Sequence, residues 1–475
     1  MKLFAQIRNI KQSLLIGFTF FVFSGCSNYL DVQPMGRAIP DTAEEFDALL
    51  QVMLNDIDYG NSSFIFGNSD LFDYECYADN IDLNVKALDM NGVEIPSSIS
   101  PVYIGTTLPG KGSLYIKLYE VIRNCNIIIE NLENDGSIYT KNVLGTAYAI
   151  RGIAYYQLVK DFCEPIDKNN ITNQLGVPLV YSFDMEERPI RSSMSETISR
   201  IESDLRKAIT FQVTDEIYRF NESVIRAYLA RLYFWSENWD AAILESKWLL
   251  DKYPLLSGTS YANMLQSELS ATGNILIKSC IYRTASEDLI LSTLKGKIKT
   301  KPLSKEFVEL FTEKGDDIRY SLVMTGRRES IKKFLPCIRT DEMCLIIAEA
   351  YAHKEDSDNA LLYLNKLRDN RIDGSIPYTL STLPGVNSLN LIKEDATGMP
   401  LTPLIQAILN ERRKELYLEG DRWYELKRNG RPEFWRLYSE STQKVVTEKF
   451  MYTFPLPVSD IMIVDGLIQN PGYTF

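Results

Sequence analysis

A chain of 475 residues, 45% hydrophobic and 24% charged, has the composition of an ordinary globular protein with material for a substantial core, which excludes a disordered or fibrous chain. Its formal charge of -12, with no stretch that interleaves Lys or Arg densely with aromatics, repels phosphate backbones and excludes nucleic acid as a partner. Seven cysteines without a C-x-x-C pair or a zinc spacing permit disulfides outside the cytoplasm but do not imply them.

At the start of the chain Lys2, Arg8 and Lys11 precede an apolar run from Leu14 to Phe23, and Ser24, Gly25 and Cys26 close it. The run is shorter than the roughly 20 residues a membrane-spanning helix needs. Basic, apolar and small-residue zones in this order form an export signal. The Ser-Gly-Cys end resembles a bacterial lipobox, although Phe23 stands where Leu is usual. Residues 1–25 are therefore expected to be removed, leaving 26–475 acylated on Cys26. Each buried acyl methylene contributes about 0.8 kcal/mol, so several chains would hold the protein at a membrane.

Two segments rich in Gly, Ser, Asn and aromatics follow, at 59–84 and 96–113. Helical periodicity then takes over. In residues 142–162, Val143, Ala147, Ile150, Ala154 and Leu158 recur at helical spacing, and the small Ala and Gly positions predict a closely approaching neighbour. Residues 219–254 carry two stripes, Ile225, Leu229, Leu232 and then Ala242, Ser246, Leu249. Polar Glu237-Asn238 separates them and Pro254 follows, which predicts a helical hairpin. Residues 230–242 align without gaps on 348–360, with Ala at both ends, Tyr233 matching Tyr351, and a polar turn in each. Tetratricopeptide-type repeats use small residues at fixed places in this way to nest consecutive helices. Between the hairpins, 253–301 and 373–390 are again rich in Gly, Pro, Ser and aromatics, and long irregular connections in a compact protein are usually functional. The expected fold is mostly α: a tetratricopeptide-like scaffold with long aromatic-rich loops and minor β.

The end of the chain carries the most specific pattern. Residues 408–434, "ILNERRKELYLEGDRWYELKRNGRPEF", and the terminal "FPLPVSDIMIVDGLIQNPGY" resemble the signature and closing elements of SusD/RagB-like outer-membrane lipoproteins of Bacteroidetes. "CSNYLDVQPMG", "LYEVIRNCNIIIENL", "GTAYAIRGIAYYQLVKDF", "RSSMSETISRIESDLRKAI" and "RTDEMCLIIAEAYA" agree in the family's order. Read physically, Glu411, Arg412, Arg413 and Glu415 on one helix, then Gly420 and Asp421-Arg422-Trp423, predict ion pairs and a left-handed cap joining two helices. The resemblance implies a surface lipoprotein that captures an oligosaccharide, or in RagB-like members a peptide, over a SusC-like TonB-dependent transporter.

No enzyme is expected. His353, the only histidine, is predicted to sit in an exposed polar turn, and no zincin, P-loop or nucleotide-binding glycine motif occurs. Asp70, Asp73, Asp79, Asn80 and Asp82 offer oxygens to a structural calcium but lack the spacing of an EF-hand, so a solvated loop is the simpler reading and no cofactor is assigned. Competing functions are a tetratricopeptide scaffold for assembly in the periplasm and, more remotely, a lipoprotein hydrolase. All five Trp lie in or beside helical motifs, and Trp239 and Trp423 are expected to pack, so the loops must hold ligand with Tyr and Phe. The candidate ligand residues are Tyr103, then Tyr115, Tyr74 and Tyr77. Tyr115 stands where relatives often carry Trp, and it also suits a buried helix position.

Overall fold

The computed structural model describes residues 40, 42–65, 68–82, 93, 112–184, 186–267, 272–279, 296, 298–437 and 444–474. Met1–Thr42 forms a unit of its own, and the fold below belongs to Ala43–Phe475. Its helices are α1 (Ala43–Asp58), α2 (Asn68–Tyr77), α3 (Gly112–Asn131), α4 (Ile138–Phe162), α5 (Met194–Thr210), α6 (Glu222–Trp235), α7 (Trp239–Lys252) and α8 (Gly258–Gln266). The series continues with α9 (Lys305–Val308), α10 (Ile318–Val323), α11 (Thr340–His353), α12 (Ser357–Asp369), α13 (Pro403–Glu415), α14 (Arg422–Arg428) and α15 (Val458–Ile463).

Helix α4 shows why the scaffold stacks. Ser137 caps its first turn by accepting from the Thr140 N–H, and apolar and small residues on nearly every side leave it buried all round. A Cβ on Gly152 would meet Leu205 of α5 at 3.1 Å, and one on Gly145 would meet Val213 at 2.7 Å. The missing side chains let α5 lie close. Packing then runs from neighbour to neighbour: α3 on α4, α4 on α5, α5 on α6, α6 on α7, α7 on α11, and α11 on both α12 and α13. The largest core joins α1 and α3–α7 to residues of α14 and the last 30 residues, while a second apolar cluster fills the space between α11, α12 and α13.

The two aligned hairpins have the same turn, residue for residue. Glu237 and Glu355 take left-handed φ values of 56° and 61°. The next N–H, of Asn238 or Asp356, donates to the carbonyl of Tyr233 or Tyr351 at 2.8 and 3.0 Å. The same two side chains cap α7 and α12 by accepting from Ala241 and Asn359. The repeat expected from the sequence is thus a repeat of backbone geometry.

Strands are few: β1 (Leu175–Pro178) with β2 (Arg191–Ser193), β3 (Ile275–Lys278) with β4 (Cys337–Arg339), and β5 (Phe434–Leu437) with β6 (Lys444–Thr447), each an antiparallel pair. The mostly α expectation holds. Two segments expected to be irregular contain regular structure, since α2 lies within 59–84 and both α8 and β3 within 253–301. Residues 373–390 are irregular as expected. Among the described residues no helix is long and apolar enough to cross a membrane.

Candidate functional site

Thr402 caps α13 by accepting from Ile405, and Pro403 occupies its first position, where no N–H is needed. Past its end, Leu418 and Gly420 adopt left-handed φ values of 59° and 77° and turn the chain toward α14. Arg412 reaches across that turn to Asp421 at 2.8 Å, and Arg422 joins Glu425 at 2.7 Å. The predicted cap and ion pairs are present.

The ionic cluster extends well beyond the signature. Glu415, fully buried, accepts from Arg339 at 2.6 Å, Arg371 at 3.0 Å and Arg319 at 3.2 Å. Glu411 meets Arg319 at 2.7 Å, Lys414 at 2.8 Å and Arg368 at 2.9 Å. Burial pushes both carboxyls up, but the surrounding charges outweigh it and hold both well below the usual range. Acids held this way are poor proton donors and serve to join segments. Sequence reasoning found the acids but missed Arg319, Arg368 and Arg371, which lie 43 to 96 residues from Glu411 and Glu415 and carry no local mark of those partners.

Lys160 is the contrasting cation. Its ammonium sits 3.5 Å from the ring centre of Tyr424 with no carboxylate at ion-pairing distance among the described residues, and burial lowers its pKa to about 7. It lines a cavity of about 40 Å³ with Tyr156, Trp235 and Tyr424. That volume admits a few waters and no sugar.

Three of the four candidate ligand tyrosines are core residues, which corrects the expectation for them. Tyr74 is 4% exposed, donates to Asp161 at 3.0 Å and lies 5.2 Å from the ring of Tyr424. Tyr77, 1% exposed, meets Trp423 edge-on at 5.3 Å. Tyr115, 3% exposed, is held between Tyr119 at 4.8 Å and Phe162 at 5.0 Å. Their rings are already packed against other aromatics, so none offers a free platform. Tyr103 and Cys26 lie outside the described residues.

Three of the residues considered for calcium are turned to other work. Asp79 accepts from Arg422 at 2.7 Å and pairs with Arg413, Asn80 accepts from Arg413 at 2.7 Å, and Asp82 faces Arg328 at 3.5 Å. No cluster of three or more His, Cys, Asp or Glu is arranged to hold a metal among the described residues. His353 also departs from expectation. Its side chain is 3% exposed and stacks on Trp239 at 4.5 Å and 15°, with Glu349 and Asp395 at 3.6 and 3.8 Å.

What the fold brings together is the ends of two aromatic-rich segments. Ile81 bridges Leu303 in antiparallel fashion, the Asp82 N–H donates to Pro302, and Arg328 donates to the Leu303 carbonyl at 2.8 Å. The chain that leaves after Asp82 and the chain that returns through Pro302 and Leu303 therefore share one anchor. Ser279 is fixed separately by its N–H to Pro336 at 2.8 Å. Two of the aromatic-rich segments start or finish at this shared footing.

A family model described as "Starch-binding associating with outer membrane" matches residues 29–234, and one described as "SusD family" matches 320–473, more than half of the chain between them. No curated protein matches. Among solved structures, a SusD superfamily protein from Bacteroides thetaiotaomicron is 22% identical, with a TM-score of 0.66 over 90% of this chain and 100% of that one. A putative sugar binding protein from Bacteroides vulgatus is 20% identical, with a TM-score of 0.65 over 92% and 100% of the two chains. A SusD-like carbohydrate binding protein from the same species is 18% identical, with a TM-score of 0.64 over 90% and 98%. At these identities the structural likeness concerns the fold. With models of one family matching both the early helices and the arginine-glutamate end of the chain, the protein belongs to the SusD/RagB-like family.

Proposed function

We propose that the mature chain, residues 26–475, is a lipoprotein anchored in the outer membrane through Cys26 and exposed at the cell surface. It binds an oligosaccharide and passes it to a SusC-like TonB-dependent transporter. The observation that carries this reading is the family match over both halves of the chain, one model being described as starch-binding and outer-membrane associated. Solved relatives described as sugar or carbohydrate binding proteins support it. The protein acts by binding and not by catalysis, since the acids of its signature are committed to arginine and lysine. Tethering beside the transporter raises the effective concentration of captured ligand.

We assign the ligand site to the aromatic-rich segments read from the sequence, with Tyr103, in residues 96–113, as its platform. A peptide ligand is the second reading. It is favoured by one observation: none of the five Trp falls in residues 59–113, 253–301 or 373–390, and Trp is the strongest sugar platform. Calorimetry of the mature chain against panels of soluble oligosaccharides and peptides decides between them. With the true ligand, Tyr103→Ala should weaken binding severalfold while the melting temperature stays within about two degrees, as loop substitutions usually change stability by under roughly 0.5 kcal/mol. Unchanged affinity would remove Tyr103 from the site, and binding by no oligosaccharide would overturn the sugar reading.

A further inference from the structure

A groove of about 490 Å³ opens at the α6–α7 turn, on the helical scaffold. Its volume lies in the range of ligand-binding clefts, roughly 300–1,000 Å³. Five parts of the chain build it: the connection after α4 supplies Lys168 and Ile171, α5 supplies Ile198, the turn and the start of α7 supply residues 236–240, and the α11–α12 turn supplies Lys354.

The apolar side of this groove is narrow and centred on one indole. Trp239 packs on the core yet stays partly exposed, and Ile171 and Ile198 are partly exposed beside it. The imidazole of His353 covers one face of Trp239, at 4.5 Å and 15°, and Phe234 meets it edge-on at 6.0 Å. These contacts fix the ring in one orientation, so a ligand laid against its exposed part costs little ordering.

The rim carries both signs of charge in equal number. Lys168 donates to the Glu237 carbonyl at 3.3 Å, and Lys354 pairs with Asp240. Two ammonium groups and two carboxylates give no net attraction for an anion or a cation, yet they offer hydrogen-bond donors and acceptors along the rim. A stable protein partner would need on the order of 1,000 Å² of contact with an apolar centre, and three partly exposed apolar side chains do not supply it.

We propose that this groove is a second saccharide subsite, in which a neutral sugar ring lies against Trp239 and its hydroxyls meet the Lys168, Asp240 and Lys354 rim. An apolar ring face with a polar edge is the chemistry that a fixed indole flanked by mixed charges receives. The subsite is built from other residues than the aromatic-rich segments, and it shares only the ligand class with the function proposed above.

The test is fluorine NMR of the full mature chain labelled with 5-fluorotryptophan, the Trp239 signal being assigned by its loss in Trp239→Phe. The probes are soluble neutral oligosaccharides: malto-, xylo-, manno-, galacto- and fructo-hexasaccharides. At least one should shift the Trp239 signal saturably, and the shift should persist in Tyr103→Ala. It should vanish in Ile198→Arg, which puts a long charged side chain on the α5 wall of the groove. A silent Trp239 signal with every probe overturns the subsite. If calorimetry still detects a bound oligosaccharide, the general function stands without it. A shift that survives Ile198→Arg, or that appears only with purified transporter, also overturns it.

Discussion

Helix α11 borders two buried regions built on opposite principles. Toward α7 and α12 it presents Cys344, Leu345, Ile347 and Ala348 to apolar neighbours, so shape alone decides the contact. Elsewhere its first turn and the residue before it, Asp341 and Arg339, enter the ionic cluster around Glu415, where each group requires a particular partner. The apolar side is made of interchangeable parts and recurs within the chain as a repeat. The charged side draws its members from distant segments.

The sharpest way to break this comparison is Glu415→Gln, which keeps the shape and removes the charge facing Arg319, Arg339 and Arg371. Leaving buried charges uncompensated costs about 3–5 kcal/mol, to be read by urea unfolding. A loss under about 1 kcal/mol would mean the arginines find other partners and the cluster resembles the apolar side after all. On that apolar side, Ala360→Leu should cost about 1–3 kcal/mol by overpacking the fully buried place where α12 meets α11. Ala242→Leu, its counterpart in the first hairpin, should match it if the two hairpins are equivalent in energy as well as in backbone.

Lys160 separates paired from unpaired burial. Its pKa falls from 10.5 to about 7 in the folded chain, so between those values the unfolded state binds more protons and the stability of the wild type rises with pH. Lys160→Met removes that dependence. Its melting temperature relative to wild type should be most favourable below pH 7 and should lose ground steadily from pH 7 to about 10. A constant difference across that window would show that the ring of Tyr424 fully stabilises the ammonium. The smallest effect belongs to the turn shared by the hairpins. Glu355→Gly should stabilise by about 1 kcal/mol or less, because glycine adopts a φ of 61° without the penalty of a side chain.

How much of this was legible in the sequence follows from the range of each interaction. The hairpins could be read because small residues, a polar turn and a capping Asn or Asp all act within a dozen positions. The cap at Gly420 was readable for the same reason. Arg319 and Arg371 were not, since nothing in "DDIRY" or "DNRIDG" marks a partner on α13. Tyr74 and Tyr77 were misplaced because the Gly, Asn and Asp around them have the composition of a loop, while burial against Tyr424 and Trp423 holds that segment as α2. His353 was misjudged through the same preference for local signals: its turn is polar, yet Trp239 of the neighbouring hairpin covers its ring.

The bridge between Ile81 and Leu303 has a practical meaning for anyone who would re-engineer the molecule. It acts as a clasp, holding Asp82 and Pro302 at a fixed spacing although they are far apart in the chain. Residues 83–111 and 280–297 can be exchanged by cuts that leave Ile81, Asp82, Pro302 and Leu303 in place. The partners of Glu411 and Glu415 all lie outside those residues, so the exchange would leave the ionic cluster its own arginines.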